Sequence, residues 1–184
     1  MAGACPAVTP TGFHGLVEWV QRGFHGEMQY IPDRLEAYRH PKNVLDGVRS
    51  IVMLGMNYYA GEQETDQPGT GKIARYAWGE IDYHDLIHAS LKLPRSNAAT
   101  IFPEHSFRGV VDTAPILERE FARDAGLGWI GKNTLLLNRN WGSYFFLAAF
   151  LTDAELEYDA PFANAHCGTC TACLDACPTA AFPQ

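Results

Sequence analysis

The sequence predicts a domain of the α+β class, in which strands and helices are joined by loops of varied length instead of alternating regularly. Two observations support this prediction. The apolar run over residues 48–59 is short and β-branched at its start, which is typical of a buried strand, and apolar residues recur at helical spacing after His84 and again after Pro115. An apolar content of 47% with 19% charged residues is ordinary for a globular protein.

The first forty residues predict a loose terminus followed by two helices. Residues 1–12 carry Pro, Gly and Ala without periodicity, and we expect them to be disordered. A helical pattern follows and is broken at Gly23; its apolar members are Leu16, Val17, Val20 and Phe24. A second short helix is expected from Asp33 to near Pro41.

A loop and an amphipathic helix are expected in the middle of the chain. Residues 61–71 contain glycines, a proline and several acids, which is typical of a loop. The helix is expected to begin at His84 and to end at Pro94; its apolar face carries Leu86, Ile87, Leu91 and Leu93.

A strand, a helix and a pair of strands complete the predicted domain. The strand covers residues 107–112, and the helix runs from Pro115, which suits a first helical turn, to a stop at Gly126. We expect residues 134–137 and 143–151 to pair with each other around an Asn-Arg-Asn turn.

Beyond a linker over residues 153–166, the chain carries four closely spaced cysteines. They follow the spacing C-x2-C-x2-C-x3-C-P and are Cys167, Cys170, Cys173 and Cys177. This is the run of bacterial ferredoxins, in which the first three thiolates hold one iron–sulfur cluster and the fourth normally reaches the other cluster of a pair. The run therefore predicts 4Fe-4S ligands and a redox protein.

Zinc and disulfides are the alternatives for these thiols. Structural zinc usually takes two Cys or Cys/His pairs with a longer spacer between them. A disulfide framework fits poorly, because the chain has only one other cysteine, Cys5. Since a two-cluster module needs a second cysteine run, we expect the chain to be a fragment whose first cluster lacks its fourth ligand.

The glycine-rich segment over residues 126–133 matches two nucleotide-binding patterns, G-x-G-x-x-G and G-x4-G-K. Both need a strand before and a helix after, so that phosphate meets a helix N-terminus. Here a helix precedes the segment, a strand-like run follows it, and Asn133 stands where the second pattern needs Ser or Thr. We therefore expect this backbone to approach a different large cofactor closely, with a helix cap as the alternative for Gly126.

Asp112 is the candidate acid, because it ends a strand in an apolar setting. The alternative is that it caps the following helix. Thr113 could cap equally well, which would leave Asp112 facing a pocket where burial makes a carboxyl group a better proton donor. His84 and His88 are four residues apart on a predicted helix and form a candidate metal pair, although no carboxylate motif supports it.

Charge and hydropathy narrow the function classes. The net charge of −7 argues against a large nucleic-acid surface on this part of the protein, because phosphate binding needs clustered Lys and Arg. No apolar run approaches the length of a membrane span, and residues 1–11 lack the features of a signal peptide. Because cluster ligands are reduced thiols, we expect a cytoplasmic protein.

Several stretches, taken in order, resemble the epoxyqueuosine reductases, which are cobalamin-dependent iron–sulfur enzymes of bacterial tRNA modification. The stretches are GFHGEM, ARYAWG with DYH, VVDTAP, GLGWIGKNTLL, WGSYFFL and CGTCTACLDACPT. The resemblance implies a nitroreductase-like cobalamin-binding domain over residues 13–155 and the start of a ferredoxin-like domain over residues 156–184. It also implies that the family's opening segment, second cysteine run and tRNA-binding tail are missing here.

By the same resemblance, Asp112 is the proton donor beside cobalt, and Arg39, Ala77 and Asn133 lie near the corrin. The implied reaction removes the epoxide oxygen of epoxyqueuosine in tRNA, with electrons passed from an external donor through 4Fe-4S clusters to cobalamin. A monomer without membrane association is expected. Two other classes compete: a reductive dehalogenase relative acting on a small halogenated substrate, and a plain electron carrier, against which the long chain before the cysteines argues.

Overall fold

The computed structural model describes residues 1–61 and 68–182. The strands are β1 (Ala2–Pro6), β2 (Ser50–Asn57), β3 (Phe107–Val111), β4 (Trp129–Ile130), β5 (Leu136–Leu137) and β6 (Phe145–Thr152). The helices are α1 (Phe13–Gln21), α2 (Tyr30–Asp33), α3 (Tyr83–Ile101), α4 (Glu118–Asp124) and α5 (Ala172–Asp175), with 3₁₀ turns at Leu35–Arg39, Pro41–Asn43 and Arg75–Ala77. The predicted loop over residues 61–71 lies partly outside the described residues.

A four-stranded antiparallel sheet of order β1-β2-β6-β3 separates two apolar cores. Successive side chains of a strand point to opposite faces of the sheet. On one face, Ile51 and Met53 of β2 join the larger core, which includes Phe121 of α4. On the other face, Leu54 of β2 packs with a smaller core that includes Ile87 of α3. The predicted mixture of strands and helices is confirmed.

The expectation of a disordered terminus over residues 1–12 is wrong. β1 pairs with the edge of β2, from Ala2 opposite Leu54 to Pro6 opposite Ser50, and Cys5 is fully buried. The small side chains that conceal the strand in the sequence permit this packing, because a Cβ on Gly3 would lie only 2.0 Å from the carbonyl oxygen of Ala125. The strand is therefore defined by its partner and not by its own periodicity.

Pro94 does not end α3, which continues to Ile101. Pro94 lies on the exposed side of the helix, so the carbonyl group of Ser90 that loses its helical partner can be hydrated. Within the part of the chain that the structure describes, no helix combines the length and the apolar character needed to cross a membrane.

The predicted pairing of residues 134–137 with 143–151 is also wrong. β5 pairs with β4, which the sequence did not predict, whereas β6 pairs along its whole length with β2 and also with β3. The sequence of β6, FFLAAFLT, is apolar on both faces. Such a strand is stable in the middle of a sheet that is covered on both sides, whereas a local hairpin would leave one face in water.

Candidate active site

A cavity of about 270 Å³ opens where β3 ends and α4 begins. Most of its lining is aromatic or aliphatic and comprises Tyr58, Tyr76, Tyr83, Leu135, Leu136, Phe145, Phe146 and Leu147. The polar lining consists of Asp112, Glu118, Arg119 and Ser143. An apolar cavity with a few convergent polar groups is the usual form of a small-molecule or cofactor site.

Asp112 lies in a strained turn directly after β3. Its φ of +48° is a left-handed value that few residues other than glycine adopt. The backbone N–H of Thr113 donates to the carbonyl of Val111 over 2.5 Å, which closes a three-residue turn around Asp112. Strain of this kind persists only where the surrounding structure holds it, and it clusters at functional sites.

The structure excludes the helix-cap alternative for Asp112. α4 begins at Glu118, its N-cap residue is Leu117, and no side chain caps it. Thr113 does not cap it either, since its hydroxyl lies 3.4 Å from the carbonyl of Val111. The prediction of a helix from Pro115 placed its start too early.

Two side chains of α3 hold one oxygen of the Asp112 carboxyl group. The Tyr83 hydroxyl donates to Oδ2 over 2.8 Å, and Nε2 of His84 lies 3.1 Å from the same atom. Oδ1 makes no hydrogen bond within the described part of the chain. The side chain is 56% exposed, so the predicted burial of Asp112 is not observed. The carboxyl group is therefore fixed through one oxygen and open at the other.

Tyr83 is fixed by ring stacking. Its ring centroid lies 4.3 Å from that of Phe146 on β6, with an angle of 6° between the ring planes, and 4.0 Å from that of His84. Burial, together with the hydrogen bond to Asp112, raises the pKa of the Tyr83 hydroxyl above its ordinary value. Tyr83 therefore keeps its proton and acts as a hydrogen-bond donor to Asp112.

Asp82 engages the other ring nitrogen of His84. Its Oδ1 lies 2.8 Å from Nδ1 and also accepts the backbone N–H of His84 over 2.8 Å, so that Asp82 is the N-cap of α3. The hydrogen bond to Asp82, with a smaller contribution from the one to Asp112, raises the pKa of His84. His84 thus bridges two carboxylates instead of pairing with His88, and the described residues contain no group of three potential metal ligands.

Glu118 was not singled out from the sequence, but it lies at the first position of α4 and lines the cavity. Its Oε1 is enclosed and has no hydrogen-bond partner among the residues that the structure describes. Burial, with a smaller contribution from the negative charge of Asp112, raises the pKa of Glu118 to about 8. A carboxyl group in the first turn of a helix is usually explained by the helix dipole, so no local pattern marks Glu118 as a neutral acid.

We expect Glu118→Gln to raise the free energy of unfolding relative to wild type, by an amount that grows from about pH 5 to about pH 8. The folded state holds the Glu118 proton up to about pH 8, whereas the unfolded chain releases it near pH 4.5, so wild-type stability falls as the pH rises through this window. The free energy of unfolding of the wild type can fall by at most about 1.4 kcal/mol per pH unit through this titration. Urea unfolding at several pH values measures the effect, with exposed Glu27→Gln as the control; a pH-independent difference between the Glu118 variant and wild type would contradict the prediction.

The other predicted cofactor contacts, Arg39, Ala77 and Asn133, do not line the cavity. Ala77 follows Tyr76, which does line it, and Asn133 accepts the backbone N–H of Leu135, another lining residue, over 3.2 Å. Arg39 is 54% exposed and is ion-paired within its own 3₁₀ turn. Contact of these three residues with a cofactor stays a prediction.

The segment over residues 126–133 leads from the end of α4 into a tight hairpin formed by β4 and β5, which excludes a nucleotide loop. Gly126 ends α4 with a φ of +74°, as its cap alternative predicts. A Cβ on Gly128 would lie 2.1 Å from the carbonyl oxygen of Leu137. Glycine is needed here for the protein's own backbone, and the close approach of a cofactor is not required to explain it.

Lys132 connects this hairpin to the cysteine run. Its Nζ donates to the carbonyl oxygens of Gly168 and Cys170, both over 3.0 Å. All the cysteines are free thiols. Hydrogen bonds from the backbone N–H groups of Ala181 and Thr179 lower the pKa of Cys177. Among the described residues these thiols are not gathered into a metal-binding group. Their number, type and spacing nevertheless fit the ligands of a 4Fe-4S cluster.

The sequence is similar to those of the epoxyqueuosine reductases. The family model described as epoxyqueuosine reductase QueG, DUF1730, matches residues 39–113. The epoxyqueuosine reductase of Cellulophaga algicola is 42% identical over 169 residues, which cover 92% of this chain and 54% of that protein. That of Pseudomonas aeruginosa is 42% identical over 171 residues, which cover 91% of this chain and 47% of that protein. Over nearly its whole length, the chain is similar to epoxyqueuosine reductases.

Solved structures of epoxyqueuosine reductases share this fold. The Streptococcus thermophilus structure matches this chain with a TM-score of 0.84 and 28% identity. The match covers 100% of this chain and 50% of that one. A Bacillus subtilis structure, in which the catalytic loop bearing an aspartate is swung out of the active site, has a TM-score of 0.83 and 28% identity, covering 99% of this chain and 48% of that one. A further epoxyqueuosine reductase structure, which contains an epoxyqueuosine-modified tRNA stem loop, has a TM-score of 0.84.

The chain spans about half the length of the curated epoxyqueuosine reductases that it matches. That half contains the four-stranded sheet, the cavity with Asp112 and the cysteine run. The activity, substrate and partners of the complete epoxyqueuosine reductases are proposals for this chain.

Proposed function

We propose that this chain carries the catalytic part of an epoxyqueuosine reductase, which reduces epoxyqueuosine to queuosine in tRNA. The proposal rests on the Asp112 carboxyl group, which lines the cavity, is held through Oδ2 in a strained turn and has no hydrogen bond to Oδ1 among the described residues. A carboxylic acid placed in this way can protonate an oxygen that leaves the substrate. In the Bacillus subtilis structure, too, an aspartate lies on a catalytic loop, which supports a catalytic role for Asp112.

We propose cobalamin as the cofactor of the cavity. Its lining is mainly aromatic and aliphatic, and Tyr76 and Leu135 are 51% and 39% exposed, so an apolar surface is available to a flat macrocycle. When bound, cobalamin supplies the reducing electrons, for which the side chains offer no source. The side chains would contribute the rest: Asp112 the proton, Tyr83 and His84 the orientation of its carboxyl group, and the apolar lining the exclusion of water.

For the rest of the chain we propose the domain arrangement of the family. A nitroreductase-like domain would extend to residue 155 and would include β1, since β1 belongs to the same sheet. Residues 156–184 would begin a ferredoxin-like domain, whose 4Fe-4S ligands would be Cys167, Cys170, Cys173 and Cys177. A tRNA substrate and reduced thiols favour the cytoplasm. An external electron donor and a monomeric chain complete the proposal.

Cobalamin binding and epoxyqueuosine reduction by the purified chain test this function. We expect the visible spectrum of hydroxocobalamin to change on binding, and a modified tRNA stem loop then to be reduced when titanium(III) citrate supplies electrons in place of the clusters. Leu135→Glu should abolish both, because it places a charge on the apolar lining. Leu93→Glu, at an exposed position on α3, is the matched control. Binding of cobalamin without any formation of queuosine would overturn the proposal.

A further inference from the structure

In the proposed function, on which this inference rests, Asp112 needs a supply of protons. Converting an epoxide to an alkene and water takes two electrons and two protons. The first carbon–oxygen bond breaks as the oxygen takes one proton, and the second breaks as the hydroxyl group takes the other and leaves as water. The two electrons from the external donor form the new π bond. Since Asp112 carries one proton at a time, it has to be re-protonated within each turnover.

Within the described part of the chain, Asp112 has one titratable neighbour that reaches solvent through a continuous set of hydrogen bonds. Oδ2 of Asp112 lies 3.1 Å from Nε2 of His84, and Nδ1 of His84 lies 2.8 Å from Oδ1 of Asp82. The His84 and Asp82 side chains are 32% and 61% exposed. The partly exposed His84 imidazole therefore lies between water and the carboxyl group that lines the cavity, and Asp82 holds its second ring nitrogen.

The other ionisable groups near Asp112 do not offer such a path. Tyr83 shares Oδ2 with His84, but burial raises the pKa of its hydroxyl, so it is a poor proton source. Tyr76 contacts the edge of the Tyr83 ring and has no hydrogen bond to the carboxyl group within the described residues. Glu118 holds a proton below about pH 8, but within the described residues no hydrogen bond joins its carboxyl group to Asp112.

We propose that Asp82 and His84 form a proton relay that reloads Asp112 from solvent. Protonated His84 donates from Nε2 to Oδ2 of Asp112, and Asp82 stabilises the imidazolium and holds its Nδ1–H. Rotation of the Asp112 carboxyl group exchanges its two oxygens and turns the new proton toward the cavity. Neutral His84, which keeps its Nδ1–H, then takes a proton from water at Nε2. Asp82 and His84 are thus positioning and reloading residues, whereas Asp112 alone touches the substrate.

NMR titration of the His84 imidazole tests the relay without any turnover. We expect a pKa above the ordinary value in the wild-type chain and a lower pKa in Asp82→Asn, because the carboxylate of Asp82 is the first cause of the shift. Asparagine still caps α3, so the helix is retained. Asp85→Asn makes the same chemical change in the same helical turn and should leave the His84 titration unchanged. An Asp82→Asn variant with an unaltered His84 pKa would overturn the relay.

The pH profile of epoxyqueuosine reduction is the second test. The rate should fall as the pH rises through the pKa of His84, and Asp82→Asn should move that fall to lower pH. Glutamine at position 84 keeps a hydrogen-bond donor but cannot relay a proton, so His84→Gln should remove the pH dependence and slow reduction by about 100-fold, the lower end of typical acid–base contributions. His88→Gln is the matched control on the exposed side of α3.

The two tests separate failure of the relay from failure of the proposed function. If the wild-type chain reduces epoxyqueuosine, and His84→Gln does so at the same rate and with the same pH profile, only the relay is rejected. Absence of reduction by the cobalamin-bound wild-type chain rejects the proposed function. In that case the NMR titration still decides whether Asp82 controls the protonation of His84.

Discussion

Asp112→Asn is expected to slow epoxyqueuosine reduction by about 100- to 10,000-fold, the usual contribution of general acid catalysis. Asparagine has nearly the size of aspartate and tolerates a left-handed backbone, so the turn with φ +48° should persist. What it lacks is the transferable proton. The rate is measured as the formation of queuosine in a modified tRNA stem loop at saturating cobalamin.

Two controls make this result specific to the carboxyl group. The visible spectrum of bound cobalamin should be the same in the variant and in wild type, which separates loss of acid catalysis from loss of the cofactor. Asp85→Asn carries the same substitution in the first turn of α3 and should reduce epoxyqueuosine at the wild-type rate. Near-normal turnover by Asp112→Asn would leave Asp112 a structural residue and move the search for the proton donor to Tyr83.

Glu120→Gln should have the largest effect on stability, a loss of about 3 kcal/mol in the free energy of unfolding. The Glu120 side chain is 7% exposed and accepts hydrogen bonds from the N–H and hydroxyl of Thr11 at 2.7 and 2.6 Å, from the N–H of Gly12 at 2.9 Å and from the Arg123 guanidinium at 3.4 Å. It thereby ties the start of α1 to α4. In the glutamine variant, one acceptor oxygen is replaced by an amide donor that faces these donors.

Urea unfolding and thermal melting both measure the Glu120 effect. A loss of about 3 kcal/mol corresponds to a decrease in melting temperature of about 6–12 °C for a domain of this size. Glu18→Gln, at an exposed position on α1, provides the matched control. A melting temperature within about 2 °C of wild type would mean that the contact between Glu120 and residues 11–12 contributes little.

The sequence predicted Asp112 but not its partners, because the partners lie far from Asp112 along the chain. Asp112 follows a strand pattern and lies in the VVDTAP stretch, both of which are local features. Its contacts with Tyr83 and His84 join residues that are 29 and 28 positions apart. They exist because α3 packs beside β3. No local pattern around Asp82-Tyr83-His84 indicates which strand end the helix will meet.

The sheet was predicted only in part, for a related physical reason. β2 and β3 carry β-branched, apolar residues and were predicted from their own composition. β1 consists of Ala, Gly, Cys and Pro, and it is a strand because the edge of β2 accepts it. The helices were predicted where their apolar spacing was regular, whereas the end of α3 depends on whether the groups freed by Pro94 face water.

The strand order has a consequence for how the chain folds. The central pair joins residues 50–57 to residues 145–152, so the middle of the sheet requires closure of a loop of nearly a hundred residues. Long closures of this kind slow folding, since their entropic cost precedes the contacts that compensate for it. During synthesis, β2 and β3 emerge from the ribosome well before the strand that separates them. The early chain therefore exposes unpaired strand edges, and its assembly waits for β6.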